Sequence, residues 1–350
     1  MTTLTPEGSF VRRGRRASVR WHRRTLAWAT GLGLAVALIG YAGIGISEFP
    51  LSPVDVGRIL LGGGTKPENY VVFDVQVPRV LLAALAGFGL AMSGALTRTV
   101  ARNPLATPDL IGITSGATVF AVLAIGFRDT WGSALASIGT VSSALLGAAL
   151  TGSAVFALAA RRGFDPFRLV LTGVAFTWFC QALVTYLLTR ADIYDVATAQ
   201  RWMVGSVANA TMDRVIPVAV LVPLAVVACM LLARHLRVYP LGDDSAASLG
   251  TQPNRTAAIT FALAVVVAAV CTAVAGPIAF VALLAPQVAV MVTRSPTPIP
   301  CTAGWVGALL VVAGDLLTRT LLPPGLAVGI VTAAIGGPAL VALLLVRIRR

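Results

Sequence analysis

The chain has 350 residues, of which 57% are hydrophobic and 12% charged, with a mean hydropathy of +0.86. A soluble globule carries about 25% charged residues, so this composition excludes a soluble domain and makes a bilayer the solvent. The net charge of +13 resides in loops and tails beside apolar runs, which points to a membrane surface and to no nucleic acid.

Residues 1–24 form a basic tail. Arg12, Arg13, Arg15, Arg16, Arg20, Arg23 and Arg24 precede an apolar run from Thr25 to Ile46. That run is too long for the core of a secretion signal and lacks a small-residue cleavage site, so it reads as a retained first span. A span needs about 20 apolar residues. Further apolar runs lie near 79–97, 108–127, 133–160, 169–189, 215–233, 256–275, 278–293, 303–321 and 326–346. The expectation is an all-α polytopic membrane protein, with a ten-helix domain over 25–346 and a short tail at 347–350. With the N-terminus inside, the opposite side holds eight basic residues: Arg58, Lys66, Arg79, Arg128, Arg190, Arg201, Arg214 and Arg319. The inner side, which includes Arg98, Arg102, Arg161, Arg162, Arg168, Arg234 and Arg237, holds the rest of the 27. The positive-inside rule then places both termini in the cytoplasm.

Between the first two spans, Ser52 and Pro53 fit the N-cap and first position of a short outer helix running to Leu61, ended by Gly62, Gly63 and Gly64. After the second span, Arg102-Asn103-Pro104-Leu105-Ala106-Thr107-Pro108-Asp109 reads as an inner turn, with Thr107 and Pro108 capping the third span. Gly112 with Gly116, and Gly325 with Gly329, have the spacing that lets membrane helices approach closely. Between spans six and seven, Leu241-Gly242-Asp243-Asp244-Ser245-Ala246-Ala247-Ser248-Leu249-Gly250 predicts a helix of one or two turns from Asp243 to Gly250, with an aspartate start and a terminal glycine. A short helix at that place is either a docking element or a capped connector.

The chemistry is sparse. The single lysine, Lys66, precedes Pro67, so the phosphate-cradling G-x-x-x-x-G-K-[ST] loop is absent. Uphill transport would need a separate ATPase or an ion gradient. Gradient carriers place ionisable groups deep in the membrane, and the one clear acid within a span is Asp315. Arg319 follows at the i+4 spacing of a structural ion pair. Asp243 and Asp244 lack the third acid of an aspartate-rich magnesium motif. His22 and His235 lie beside arginines and read as interface residues. Cys180, Cys229, Cys271 and Cys301 are too widely spaced for zinc or a disulfide framework and read as packing residues. No catalytic residue, metal site or bound cofactor is expected.

Ordered motifs add a resemblance. Val77-Pro78-Arg79, Gly94-Ala95-Leu96, Arg102-Asn103-Pro104-Leu105-Ala106, Pro108-Asp109-Leu110-Ile111-Gly112 and Ser115-Gly116-Ala117 resemble the FecCD-type permeases. So do Trp202, Gly205 and Ser206, then Leu241-Gly242-Asp243-Asp244 and Ser248-Leu249-Gly250. The likeness resumes at Ala275-Gly276-Pro277-Ile278-Ala279-Phe280-Val281, Val328-Gly329-Ile330-Val331-Thr332 and Ile335-Gly336-Gly337-Pro338. The resemblance implies a type II ABC importer permease in the cytoplasmic (inner) membrane. Its partners would be two ATPase subunits carrying ATP and magnesium, a second and paralogous permease, and an extracytoplasmic substrate-binding protein. Its cargo would be a ferric siderophore, with cobalamin or haem as the alternatives. A different class, an ion-coupled carrier working alone, stays open beside it.

The resemblance also implies site residues. Gly242, Asp243, Asp244, Ala247, Leu249 and Gly250 would form the helix that couples to the ATPase. Arg79 and Arg319 would dock the binding protein. Asn103, Pro104 and Leu105 would belong to a cytoplasmic gate, and Asp165 to Phe167 occupy the region of a second gate. The sequence departs from the family pattern at Gln76, where an arginine is expected, and at Gln287, Val290 and Gly325. Departures concentrated in the C-terminal half suit a non-identical permease partner.

Overall fold

The computed structural model describes residues 9–13, 18–47, 49, 51–128, 132–161, 163–323 and 325–348. Arg15, Arg16, Arg162, Arg349 and Arg350 of the basic set lie outside the described residues. Within the basic tail, β1 (Ser9–Arg13) and β2 (Ser18–His22) pair antiparallel, Phe10 opposite Trp21 and Val11 opposite Arg20. Aromatic and β-branched residues favour such strands, and a reading of charge alone does not foresee them.

The helices follow in order. α1 (Arg23–Gly45) leads to α2 (Pro53–Leu60), and α3 (Lys66–Asn69) runs through a π-helical stretch, Tyr70–Gln76, into α4 (Val77–Ala101). Then come α5 (Ile113–Gly126), α6 (Ser133–Ile138), α7 (Thr140–Ala159), α8 (Pro166–Arg190), α9 (Ile193–Val204) and α10 (Met212–Val238). After α11 (Asp243–Ser248), the chain closes with α12 (Pro253–Ala275), α13 (Val281–Thr293), α14 (Pro300–Thr320) and α15 (Val328–Ile348). Among the described residues, seven helices are long and apolar enough to cross a membrane. Three shorter apolar ones, Ile113–Gly126, Val281–Thr293 and Val328–Ala342, bring the set to the ten expected positions. The chain is a multi-pass membrane protein.

Local chemistry moves several boundaries. Ser52 does cap α2, its hydroxyl accepting from the Asp55 N–H at 3.2 Å, with Pro53 at the first helical position. That hydroxyl also holds the Asp55 carboxyl below the usual carboxylate range. The third span begins at Ile113 instead of residue 108. Thr107 accepts from the Leu110 N–H at 3.3 Å and closes a turn of its own, and Gly112 then takes a left-handed φ of 84°. The fourth span is split, because Gly139 at φ 83° separates α6 from α7. The second span is extended outward to Lys66, and α9 is an added helix in the connection that follows α8.

α4 is the axis of the bundle. Every residue from Ala86 to Ala101 is buried, whereas α8 and α10 leave much of their length exposed. Lipid gives no hydrophobic reason for helices to associate, so close backbone contact has to hold them. At the α4–α14 crossing, Gly87 and Gly307 face each other, and a Cβ on Gly87 would lie 2.5 Å from the Gly307 carbonyl oxygen. Gly116 meets Gly147 of α7 in the same way. The expected glycine pairs therefore work singly. Gly116 packs while Gly112 turns the chain, and Gly329 packs against the Val204 carbonyl while, among the described residues, no atom lies within 4 Å of a Cβ placed on Gly325.

Candidate coupling and docking sites

Alternation of the spans along the chain puts α11, the turn after α4 and the start of α1 on one face, and α2, α3 and α9 on the other. On the first face, Arg102 ends α4 in the left-handed region at φ 46°. The side-chain oxygen of Asn103 accepts from the Leu105 N–H at 2.9 Å, and the Ala106 N–H reaches the Asn103 carbonyl at 3.2 Å. This local turn leaves Leu105 44% exposed.

α11 begins at Gly242, whose φ of 101° suits glycine alone and lets the chain leave α10 sharply. Asp243 and Asp244 occupy its first turn, where carboxylates complement the helix dipole. Ala246 is buried, its carbonyl accepting from the Thr251 hydroxyl at 2.7 Å. Asp244, Ala247 and Leu249 remain exposed. α11 is thus anchored on one side and presents a small apolar and acidic surface on the other.

The turn after α4 and α11 meet directly. Arg102 donates to Asp243 Oδ1 at 2.5 Å and to the Tyr239 carbonyl at 3.0 Å, with its guanidinium 4.2 Å from the Tyr239 ring centre. The Tyr239 hydroxyl donates in turn to the Val100 carbonyl at 3.4 Å. Sequence spacing does not show this link, since the partners are 137 to 141 residues apart. Asp165 caps α8 by accepting from the Phe167 N–H at 2.9 Å, and Phe167 is exposed.

On the opposite face, Arg79 and Arg319 converge on one carboxylate. Asp315 is 2% exposed. Arg79 reaches it from α4 at 2.8 Å and Arg319 from one turn along α14 at 2.9 Å. Arg319 also donates to the carbonyls of Gly43 and Ile46 and, at 2.7 Å, to Gln76 Oε1. The i+4 pair expected of Asp315 is present, and Arg79 joins it. Gln76, in the place of an expected arginine, supplies a neutral acceptor where a third cation would repel the other two. In this conformation both arginines turn mainly inward.

Arg98 is the residue that sequence reasoning misplaces. Counted with the loop arginines, it is 5% exposed inside the bundle, where it donates to Gln287 Oε1 at 3.2 Å and to the Leu283 carbonyl. A hint lay in its spacing, a full turn before Arg102 on a helix still running. All four cysteines are free, and three are buried.

Among the described residues, ten apolar helices with α4 as their buried axis, a short exposed helix on one face and a paired-arginine cluster on the other define a membrane permease subunit. The model of the FecCD transport family matches residues 33–346, and the chain belongs to that family. It is 35% identical over 329 residues to the ferric enterobactin transport system permease protein FepG of Escherichia coli K12, covering 94% of this chain and 98% of that one. It is also 35% identical over 319 residues to the probable siderophore transport system permease protein YfhA of Bacillus subtilis 168, covering 90% and 92%. A solved structure described as an ABC transporter of the metal-chelate type in an inward-facing conformation superposes with a TM-score of 0.79 at 26% identity. That superposition covers 91% of this chain and 99% of the other.

Proposed function

We propose that this chain is one permease of an ATP-driven importer that carries a ferric siderophore through the cytoplasmic membrane, with both termini in the cytoplasm. The observation that carries the reading is α11. It is a short anchored helix with an exposed outer surface, placed against the turn after α4, in a polypeptide that has no P-loop of its own. Family membership over residues 33–346 and the siderophore relatives supply the cargo class. The chain hydrolyses no ATP itself; ATP and magnesium belong to a pair of ATPase subunits seated against α11. A second, paralogous permease completes the path, and a binding protein delivers substrate at the face bearing Arg79 and Arg319. Asn103, Pro104 and Leu105 close the cytoplasmic end.

The test is uptake of radio-iron as a ferric catecholate or hydroxamate into proteoliposomes holding the complete complex. ATP-dependent accumulation supports the reading. Uptake by this chain alone, indifferent to ATP, would replace it with an ion-coupled carrier, and transport of haem or cobalamin in preference to siderophores would change the cargo.

A further inference from the structure

α11 sits between its chain neighbours. The Arg234 side chain of α10 donates to the Leu249 carbonyl at 3.4 Å, and Thr251, just ahead of α12, holds Ala246. Among the described residues, the pair of Arg102 with Asp243 is the side-chain link between α11 itself and a spanning helix that is not its chain neighbour. A pair this open, with the side chains 26% and 58% exposed, is worth little to folding stability. Arg102 ends α4 in the left-handed region, a common way for a helix to stop, with the Asn103 N–H reaching back to the Arg98 carbonyl at 3.3 Å. Its side chain is held by Asp243, the Tyr239 carbonyl and the Tyr239 ring. Tyr239 is itself buried and bonded back to Val100, so the last turn of α4 grips the α10–α11 joint from two sides. The next residue is Asn103, whose side chain fixes the amide of Leu105.

We infer that Arg102 is a positioning residue for transport: it passes displacement of α11 to the Asn103–Leu105 turn, so that the turn opens and closes with the ATPase. This rests on the reading of α11 as the ATPase contact. A load on Asp243 pulls the guanidinium, and the guanidinium turns a backbone already off the helical basin, one residue from Asn103. Exposure of the pair to solvent lets it reform after each cycle, which a buried pair would resist.

The test uses the complete complex in proteoliposomes and reads siderophore taken up per ATP hydrolysed, with co-purification of the ATPase as the assembly measure. R102D should lower that ratio about tenfold, within the range of coupling factors between linked sites. The R102D/D243R swap should recover most of the loss. R102K should fall between, keeping charge but losing the planar fork and the stack on Tyr239. An unchanged ratio in R102D would overturn the inference. So would a swap no better than R102D alone, or loss of the ATPase from R102D complexes, which would make Arg102 an assembly residue. Failure of the functional reading shows instead in the parent complex, as uptake without ATP or no uptake at all.

Discussion

Replacing Asp315 by asparagine isolates the cost of the arginine cluster. Among the described residues, the carboxylate is the sole ion-pair partner of Arg79, which holds it through two bonds from Nε and one from Nη2 at 2.8–3.1 Å. Arg319 is better insured, because the carbonyls of Gly43 and Ile46 and the Gln76 side chain remain as acceptors. Asparagine keeps one oxygen for one guanidinium and cancels no charge. Removing one partner of a buried pair costs about 3–5 kcal/mol, because a charge is left without compensation. Asp315→Asn should lie in that range, with Arg79 as the stranded cation. Arg319→Gln and Arg79→Gln should each cost less, since Asp315 keeps one guanidinium in either variant. The assay is reversible unfolding in mixed micelles titrated with a denaturing detergent, followed by helical circular dichroism. An Asp315→Asn loss below about 0.5 kcal/mol, the size of an ordinary surface change, or a single arginine variant costing more, would refute the ordering.

Leu249→Glu, or a bulky charge at Gly250, should abolish uptake-linked ATP hydrolysis in the assembled complex, and unchanged coupling would defeat the role of α11. Gly250 carries the added burden of a φ of 79°, which any side chain strains. Gly87→Leu should drive α4 and α14 apart, with loss of folded protein on size-exclusion chromatography, since its Cβ alone would overlap the Gly307 backbone. Gln287→Ala removes a polar partner from buried Arg98 and should cost about 1–3 kcal/mol in the same micelle titration. Co-expression with a paralogous permease should yield complexes holding one copy of this chain; a functional complex with two copies and no second permease would count against pairing of unlike subunits.

The membrane architecture was legible because each span satisfies its backbone within itself and advertises its length as an apolar run. The same is true of strictly local chemistry. Ser52 with Pro53, the i+4 pair of Asp315 and Arg319, and the Gly242–Gly250 segment can all be found by counting along the chain. What escaped depends on partners far apart in sequence. Nothing local reveals that Arg79 joins a carboxylate 236 residues away, or that Gln287 is the residue Arg98 meets. Hydropathy also overshoots where an apolar stretch is not yet helix, as in residues 108–112, where Thr107 and Gly112 build a turn first.

α4 bears Arg79 in its first turn and hands the chain to Arg102 at its last, in 25 residues of unbroken helix, a span of about 37 Å at 1.5 Å per residue. It has no proline or glycine hinge acting as a joint: its prolines stop at Pro78, and its glycines are pressed against neighbours. The two faces therefore share one stiff body. If, as proposed, a binding protein settles on the Arg79 end and the ATPase acts at the Arg102 end, the two are loads on the same lever, and thermodynamic linkage makes their effects on each other equal. On that reading, docking of the delivering protein should change nucleotide affinity by the same factor, and in the same direction, as nucleotide changes affinity for the delivering protein.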